Sequence, residues 1–354
     1  MKLTKKNISP FGVLLFALFL FSCSRSATKP EYILTYSVFF PATHIHAKLA
    51  RQWADEIGKR SNGRIRIDVY PGGILSSATE NYECTALGVS DIGMSCFAYS
   101  RGMFPMVAGL DLPWGYHDGK EATHIANQFI EHFKPKELQD CVIMYVHAHG
   151  PGVLAGNKKI TTMNSIHGLN IRSTGISAQI ARAMKANAIG MGQRDTYESL
   201  RKGVVDCTLC PIETLKGWRQ GEVIQYVTRI PAIGYTTTMF VAMNPKSWQK
   251  LPPDLQKIIR EVNREWIPKH GQAWDSADDK GTKMVLGLHK KINTIAPHEN
   301  DLIQKNIEPL LKNWERDLQK KGLPGNEAFL FIQRKLKEYR NAANKKAPSP
   351  QEKL

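Results

Sequence analysis

The chain predicts an α/β fold of two similar lobes joined by hinge strands, and three observations carry that expectation. Short apolar strands alternate with amphipathic helices over residues 33–93, the grammar of a βαβαβ unit. Glu198-Ser-Leu-Arg-Lys-Gly203-Val-Val-Asp206-Cys207 echoes Glu83-Cys-Thr-Ala-Leu-Gly88-Val-Ser-Asp91-Ile92. In each copy a helix closes on glycine, and an aspartate at the same offset opens a strand. Finally, 354 residues that are 42% hydrophobic and 23% charged suffice for two cores and exclude a chain disordered throughout.

In chain order, Lys2, Lys5 and Lys6 precede an apolar run over 11–21 that is too short to span a bilayer, and Ser22-Cys23 follows. That is the layout of a secretory signal peptide over 1–22. Leu20-Phe21-Ser22-Cys23 also resembles a bacterial lipobox, in which Cys23 becomes the lipidated first residue of the mature chain; 24–30 would be its leash. The alternative is a plain signal peptide with an incidental cysteine.

A strand is expected over 33–40 and a helix over 43–59, where Leu49, Trp53 and Ile57 recur at a spacing of four. Asn62-Gly63 ends that helix, and 64–69 alternates as a second strand. A turn at Pro71-Gly72-Gly73 leads to a helix over 79–87 and a third strand from Gly88. The stretch 168–222 runs strand, helix, strand, helix, strand, and carries Arg172 at the end of its first strand.

The apolar runs 140–149 and 235–243 fit hinge or crossover strands. Pro252-Pro253-Asp254 opens a long helical pattern to about residue 291, interrupted by Gly271 and Gly281. An amphipathic helix follows over 301–319, then a break at Leu323-Pro324-Gly325, a last helix to about residue 342, and a polar tail over 345–354 that reads as disordered.

The formal charge of +16 falls to about +13 once the signal peptide is removed. Basic residues are scattered along helices among acidic neighbours, so nucleic acid is not an expected partner. Five mature-body cysteines, Cys84, Cys96, Cys141, Cys207 and Cys210, make an odd number that supports no complete disulfide framework. Cys207 and Cys210 look like CxxC, but they lie three apart on a buried strand and point to opposite faces.

No catalytic signature stands out. Gly115-Tyr-His-Asp-Gly119-Lys120 is one residue short of a P-loop and lacks the Ser or Thr. Gly88-Val-Ser-Asp-Ile-Gly93 is not a nucleophile elbow. Of two His-x-His pairs, His147 and His149 lie on an expected strand and could share a face for a metal, whereas His44 and His46 open a helix and do not face together. Arg172 is the sharper candidate, because a strand-end guanidinium in a cleft grips a carboxylate through two parallel hydrogen bonds. A surface ion pair is its plainer alternative.

At the level of motifs the chain resembles the solute-binding proteins of tripartite ATP-independent periplasmic (TRAP) transporters. The resemblance spans about residues 33–319 and rests on Tyr70-Pro-Gly-Gly-Ile-Leu75, Gly168-Leu-Asn-Ile-Arg172, the segment Thr196 to Asp206, Glu222-Val-Ile-Gln-Tyr-Val-Thr228 and Ser247-Trp-Gln-Lys-Leu-Pro-Pro-Asp254. It implies a periplasmic-binding-protein-like fold braced by one long helix, with 31–148 and 237–277 in lobe I, 149–236 and 278–330 in lobe II, and 331–354 as C-terminal helix and tail. It also implies a periplasmic receptor, not an enzyme, with no cofactor. The partners would be a small organic acid, small and large TRAP membrane subunits driven by an ion gradient, and the membrane itself through Cys23.

Arg172 matches the family's carboxylate-binding arginine. Other cleft positions depart from the common pattern. Cys210 stands where many members have asparagine, Gln193 replaces a common aromatic, and Phe39 and Cys96 replace polar residues of acidic-sugar binders. A second arginine near Pro151 is missing, and Leu209-Cys210 stands where a cation-dependent branch has Glu-Trp. Trp218 and Tyr235 are candidate stacking partners. The expected ligand is a monocarboxylate with an apolar or aromatic body. A C4-dicarboxylate or sugar acid on the same fold, and an exported metal-binding protein using His147 and His149, are the rivals.

Overall fold

The computed structural model describes residues 29–346; the expected signal peptide, Cys23 and residues 347–354 of the expected tail lie outside the described residues. Its strands, in chain order, are β1 (Tyr32–Val38), β2 (Ile65–Pro71), β3 (Ile92–Cys96), β4 (Val142–Ala148), β5 (Gly152–Gly156), β6 (Asn170–Ser173), β7 (Asn187–Gly190), β8 (Cys207–Pro211), β9 (Tyr226–Arg229), β10 (Thr238–Met243) and β11 (Lys291–Thr294). They form two sheets, ordered β2-β1-β3-β10-β4 and β11-β9-β5-β8-β6-β7, one for each lobe.

The two halves share a plan. β1 pairs in parallel with β2 and β3, as β6 does with β7 and β8. In each sheet one strand arrives from elsewhere in the chain and runs antiparallel: β10 enters between β3 and β4, and β5 lies between β8 and β9. The chain therefore passes between the sheets at residues 149–151 and again at 230–237, and returns to the second sheet between β10 and β11; the apolar runs expected as hinge or crossover strands are mostly β4 and β10 themselves, strands of the first sheet that flank the first two crossings.

Local chemistry sets the helices of the first lobe. Ile45–Arg60 starts where the His44 side chain accepts from the His46 N–H, and it ends with Lys59 and Arg60 at the negative end of the helix dipole. Its buried stripe includes Leu49, Trp53 and Ile57. Trp53 Nε1 donates to Asn263 Oδ1 at 2.9 Å, and Trp266 Nε1 donates back to the Leu49 carbonyl at 3.0 Å. Asn81–Leu87 stops at Gly88, whose φ of 83° is open to glycine at little cost. Asp118 caps Gly119–Phe133 by accepting from the Glu121 N–H.

Two sequence expectations need correction. The segment expected to be interrupted at Gly271 and Gly281 is one continuous helix of 35 residues, Pro253–Gly287. Those glycines are points of close approach. A Cβ on Gly271 would fall 2.9 Å from Lys120 Cα, and one on Gly281 would fall 2.4 Å from the Ile212 carbonyl oxygen. The helix thus lies against the first lobe at one glycine and the second lobe at the other. Conversely, the single helix expected over 301–319 is two, Pro297–Ile307 and Pro309–Lys320, because Pro309 has no N–H to continue the ladder.

The last helix, Gly325–Lys346, returns to the first lobe, where Arg340 Nε donates to Glu121 Oε1 at 2.7 Å and Arg340 Nη2 to the Gly115 carbonyl at 2.7 Å. Cys207 and Cys210 are both buried on β8, contribute to different hydrophobic clusters, and form no disulfide. Among the described residues no helix is long and apolar enough to cross a membrane.

Candidate ligand-binding cleft

The lobes meet along a cleft fed by strand ends from both sheets, and a small, partly open cavity of about 40 Å³ lies within it. Phe39, Cys96, Arg172, Gln193, Cys210, Trp218 and Tyr235, the seven positions singled out from the sequence, all line this cavity. Each reaches it from a different local structure. Phe39 and Cys96 stand at the ends of β1 and β3, Arg172 and Cys210 on β6 and β8, and Gln193 begins the helix Gln193–Arg201. Trp218 follows a short helical turn, and Tyr235 sits on the crossover into β10.

Arg172 is 4% exposed. Register places it beside Thr208 of β8. Its Nε and Nη2 both donate to the Met191 carbonyl, at 3.2 and 3.0 Å, and it takes part in no ion pair among the described residues. A buried guanidinium held only by the Met191 carbonyl and a hydrogen bond to the Tyr99 phenol keeps its charge uncompensated by any carboxylate partner.

The thiols and phenols around it are neutral. Burial, above all, raises the Cys96 thiol and the Tyr235 phenol, and pushes the Cys210 thiol and the Tyr99 phenol up to about 12 each; Arg172 opposes all four shifts. The Gln193 backbone N–H donates to Tyr99 Oη at 3.3 Å, while Gln193 Nε2 is buried without a partner. Away from this polar end the wall is aromatic. Phe39 stacks on Trp218 with centroids 6.0 Å apart and 25° between planes, and meets Tyr99 edge-on at 6.0 Å.

Several lining residues carried no sequence signal, including Tyr99, Ser177, Glu213 and Trp274. Glu213 follows β8 and is 3% exposed; its Oε1 lies 2.6 Å from Nε2 of His44, which comes from the opposite lobe. Its backbone N–H donates to Asp278 Oδ1 at 2.9 Å, and burial pushes the Asp278 carboxyl up to about 8. The strand pattern placed His147 and His149 on one face. In the structure β4 ends at Ala148, and the two rings part. His149 lines the cavity and meets Tyr235 edge-on, whereas His147 turns into the core and accepts from Trp274 Nε1 at 3.0 Å. His44 and His46, expected not to face together, have ring centroids 5.5 Å apart at 33°, but His46 turns to the buried histidines while His44 turns to Glu213.

Behind the cavity, His46, His147 and His270 are fully buried, with one nitrogen from each within 4.8 Å of the others. Their rings are nearly parallel, 8° to 13° apart. His46 and His270 meet edge to edge, with Nδ1 atoms 2.8 Å apart and centroids 5.0 Å apart, and Tyr145 Oη stands 3.1 Å from His270 Nε2. Parallel rings cannot aim lone pairs at one tetrahedral centre, and the short Nδ1 contact is a hydrogen bond in which one ring donates to the other. Burial lowers all three, with like-charge neighbours adding to it at His46 and His147, and it takes His270 to about 3. They form a neutral, hydrogen-bonded imidazole stack.

Two α/β lobes closed on a cleft that buries an arginine describe a solute-binding protein. Residues 36–317 match the family model described as bacterial extracellular solute-binding protein, family 7, and the chain belongs to this family, the solute-binding proteins of TRAP transporters. Similar solved structures include a TRAP solute-binding protein from Rhodoferax ferrireducens in complex with copurified benzoate, with a TM-score of 0.83, 24% identity, and coverage of 88% of this chain and 99% of that one. Another, from Bordetella bronchiseptica with bound (R)- and (S)-mandelate, has a TM-score of 0.81 at 24% identity, covering 87% and 99%. The C4-dicarboxylate-binding protein DctB of Bacillus subtilis is 22% identical over 296 residues, 78% of this chain and 82% of that protein.

Proposed function

We propose that this TRAP solute receptor binds an organic monocarboxylate with an aromatic body, and that Arg172 holds the carboxylate as the lobes close. The observation that carries the reading is the buried guanidinium without a counter-ion, ringed by neutral donors at Tyr99, Gln193 and Tyr235. The stacked Phe39 and Trp218 rings support an aromatic body, as do the benzoate and mandelate bound by proteins of the same fold. A dicarboxylate or sugar acid would call for a second cation. The lining supplies instead the carboxylate of Glu213 and a histidine, His149, whose ring nitrogen burial lowers to about 4.

The protein binds and delivers its cargo and does no chemistry on it. Its partners are the small and large TRAP membrane subunits, which draw on an ion gradient, and a lipid on Cys23 tethers the mature chain to the membrane through the leash 24–30. Isothermal titration with benzoate, phenylacetate, succinate and glucuronate tests the ligand class. Tight binding of an aromatic monocarboxylate is expected. Arg172→Ala should weaken it by roughly 10²- to 10⁴-fold, for two charge-assisted bonds of about 1.5–3 kcal/mol each. Retained affinity in that variant, or a preference for succinate or glucuronate, would overturn the proposal.

A further inference from the structure

Glu213 is an odd residue to find in a cavity built around a cation for an anionic ligand, and its acceptor positions are poorly filled. A buried carboxylate offers about four acceptor sites and ordinarily fills them. Oε1 lies beside His44 Nε2, near enough for an ion pair but misaligned for a hydrogen bond, and accepts no other hydrogen bond among the described residues. At Oε2 the only donor among the described residues is the hydroxyl of the adjacent Thr214, at 3.4 Å.

The side chain is nevertheless firmly placed. The Glu213 N–H is held by Asp278 of the long helix, and Gly281 lets that helix lie against the Ile212 carbonyl and Glu213 Cα. Gly217 leaves room for the carboxylate and the His44 ring to approach from one side. Across the cleft, His44 stacks on Phe40 with centroids 4.2 Å apart. Phe40 contacts Phe39 and Trp218, so the carboxylate is continuous with the aromatic wall.

We infer that Glu213, poised by His44 and Asp278, is a second anchor that accepts a hydrogen bond from a hydroxyl group on the body of the ligand, which narrows the ligand class to hydroxylated aromatic acids. The inference rests on the aromatic-monocarboxylate reading above. Arg172 takes the charged end, Phe39 and Trp218 take the ring, and Glu213 reads what the ring carries. A ring without a donor leaves Glu213 buried and underfilled on closure, which costs affinity by the same logic that lets hydrogen-bonding sites reject analogues lacking a hydroxyl.

The test is isothermal titration of the full-length mature chain with benzoate and its 2-, 3- and 4-hydroxy isomers, and with phenylacetate and its three hydroxy isomers, repeated with Glu213→Gln. At least one hydroxy isomer should bind the wild type about 10- to 100-fold more tightly than its parent, and the ratio should shrink toward unity in the variant. If the parent acids bind and no hydroxy isomer gains more than about twofold, the role of Glu213 is overturned while the aromatic-monocarboxylate reading stands. A preference that survives Glu213→Gln unchanged also overturns it. If none of these acids binds, both readings fall.

Discussion

Replacing His270 by glutamine should change how the protein responds to acid more than how stable it is at neutral pH. In the folded chain His270 titrates near 3 because it is buried, against 6.5 for an unperturbed histidine. A folded-state pKa below the unfolded one means that the native state keeps the ring neutral while the unfolded chain takes up a proton. Stability is therefore full above pH 6.5 and is lost as pH falls from about 6.5 toward 3. The slope is about 1.4 kcal/mol per pH unit for this one group, so acidification from pH 7 to 5 removes ~2 kcal/mol. His46 and His147, both held well below 6.5, act in the same direction.

His270→Gln gives up the contacts to His46 and Tyr145 and will be less stable than the wild type at pH 7. Without the titrating ring, the gap between variant and wild type should narrow by ~2 kcal/mol at pH 5. Urea denaturation at the two pH values, followed by tryptophan fluorescence, measures both differences. A gap that is the same at pH 7 and pH 5 would show that His270 titrates like an exposed histidine, and the neutral stack would have to be abandoned.

Asp278 should give the opposite pH dependence. Its folded-state pKa is raised to about 8 by burial, so the stabilisation present below the unfolded value near 3.8 is lost as pH rises toward 8. Asp278→Asn should therefore gain on the wild type by ~1–3 kcal/mol between pH 5 and pH 8 in the same denaturation assay, and a gain independent of pH would contradict the assignment. Gly281→Ala sets a methyl 2.4 Å from the Ile212 carbonyl and should cost ~1–3 kcal/mol by pushing the long helix off the second lobe. An unaltered urea midpoint would refute that close approach.

Much of this was legible in the sequence because it is carried locally. The echo of Gly88 in Gly203 marked the two related sheets, and the strand-end position of Arg172 marked the cleft. Of the seven cleft positions only Arg172 was marked by its own strand pattern; the other six came from the family resemblance, and the structure brings all seven to one cavity. Glu213, Tyr99 and Trp274 were missed because each enters through packing between distant segments, and no spacing rule links residue 44 to residue 213. The imidazole stack was invisible for the same reason: His46 and His270 are 224 positions apart, and His147 looked like the partner of His149 until β4 ended one residue too soon. Gly271 and Gly281 misled because low helix propensity is a property of the isolated chain, whereas here absent side chains make room for neighbouring elements.

His270, Trp274, Asp278 and Gly281 follow one another at intervals of four, four and three, so they form a single stripe about 16 Å long on the brace helix. Read from one end to the other, that stripe touches the first lobe's imidazoles, the ligand cavity, the Glu213 backbone and the second lobe's β8 turn. A one-residue slip would turn the helix by about 100° and dislodge all four contacts together, so it has no intermediate register in which to creep. The helix therefore fixes the spacing of the two lobes at four points along one face, and a substitution at any of them is felt by both sheets.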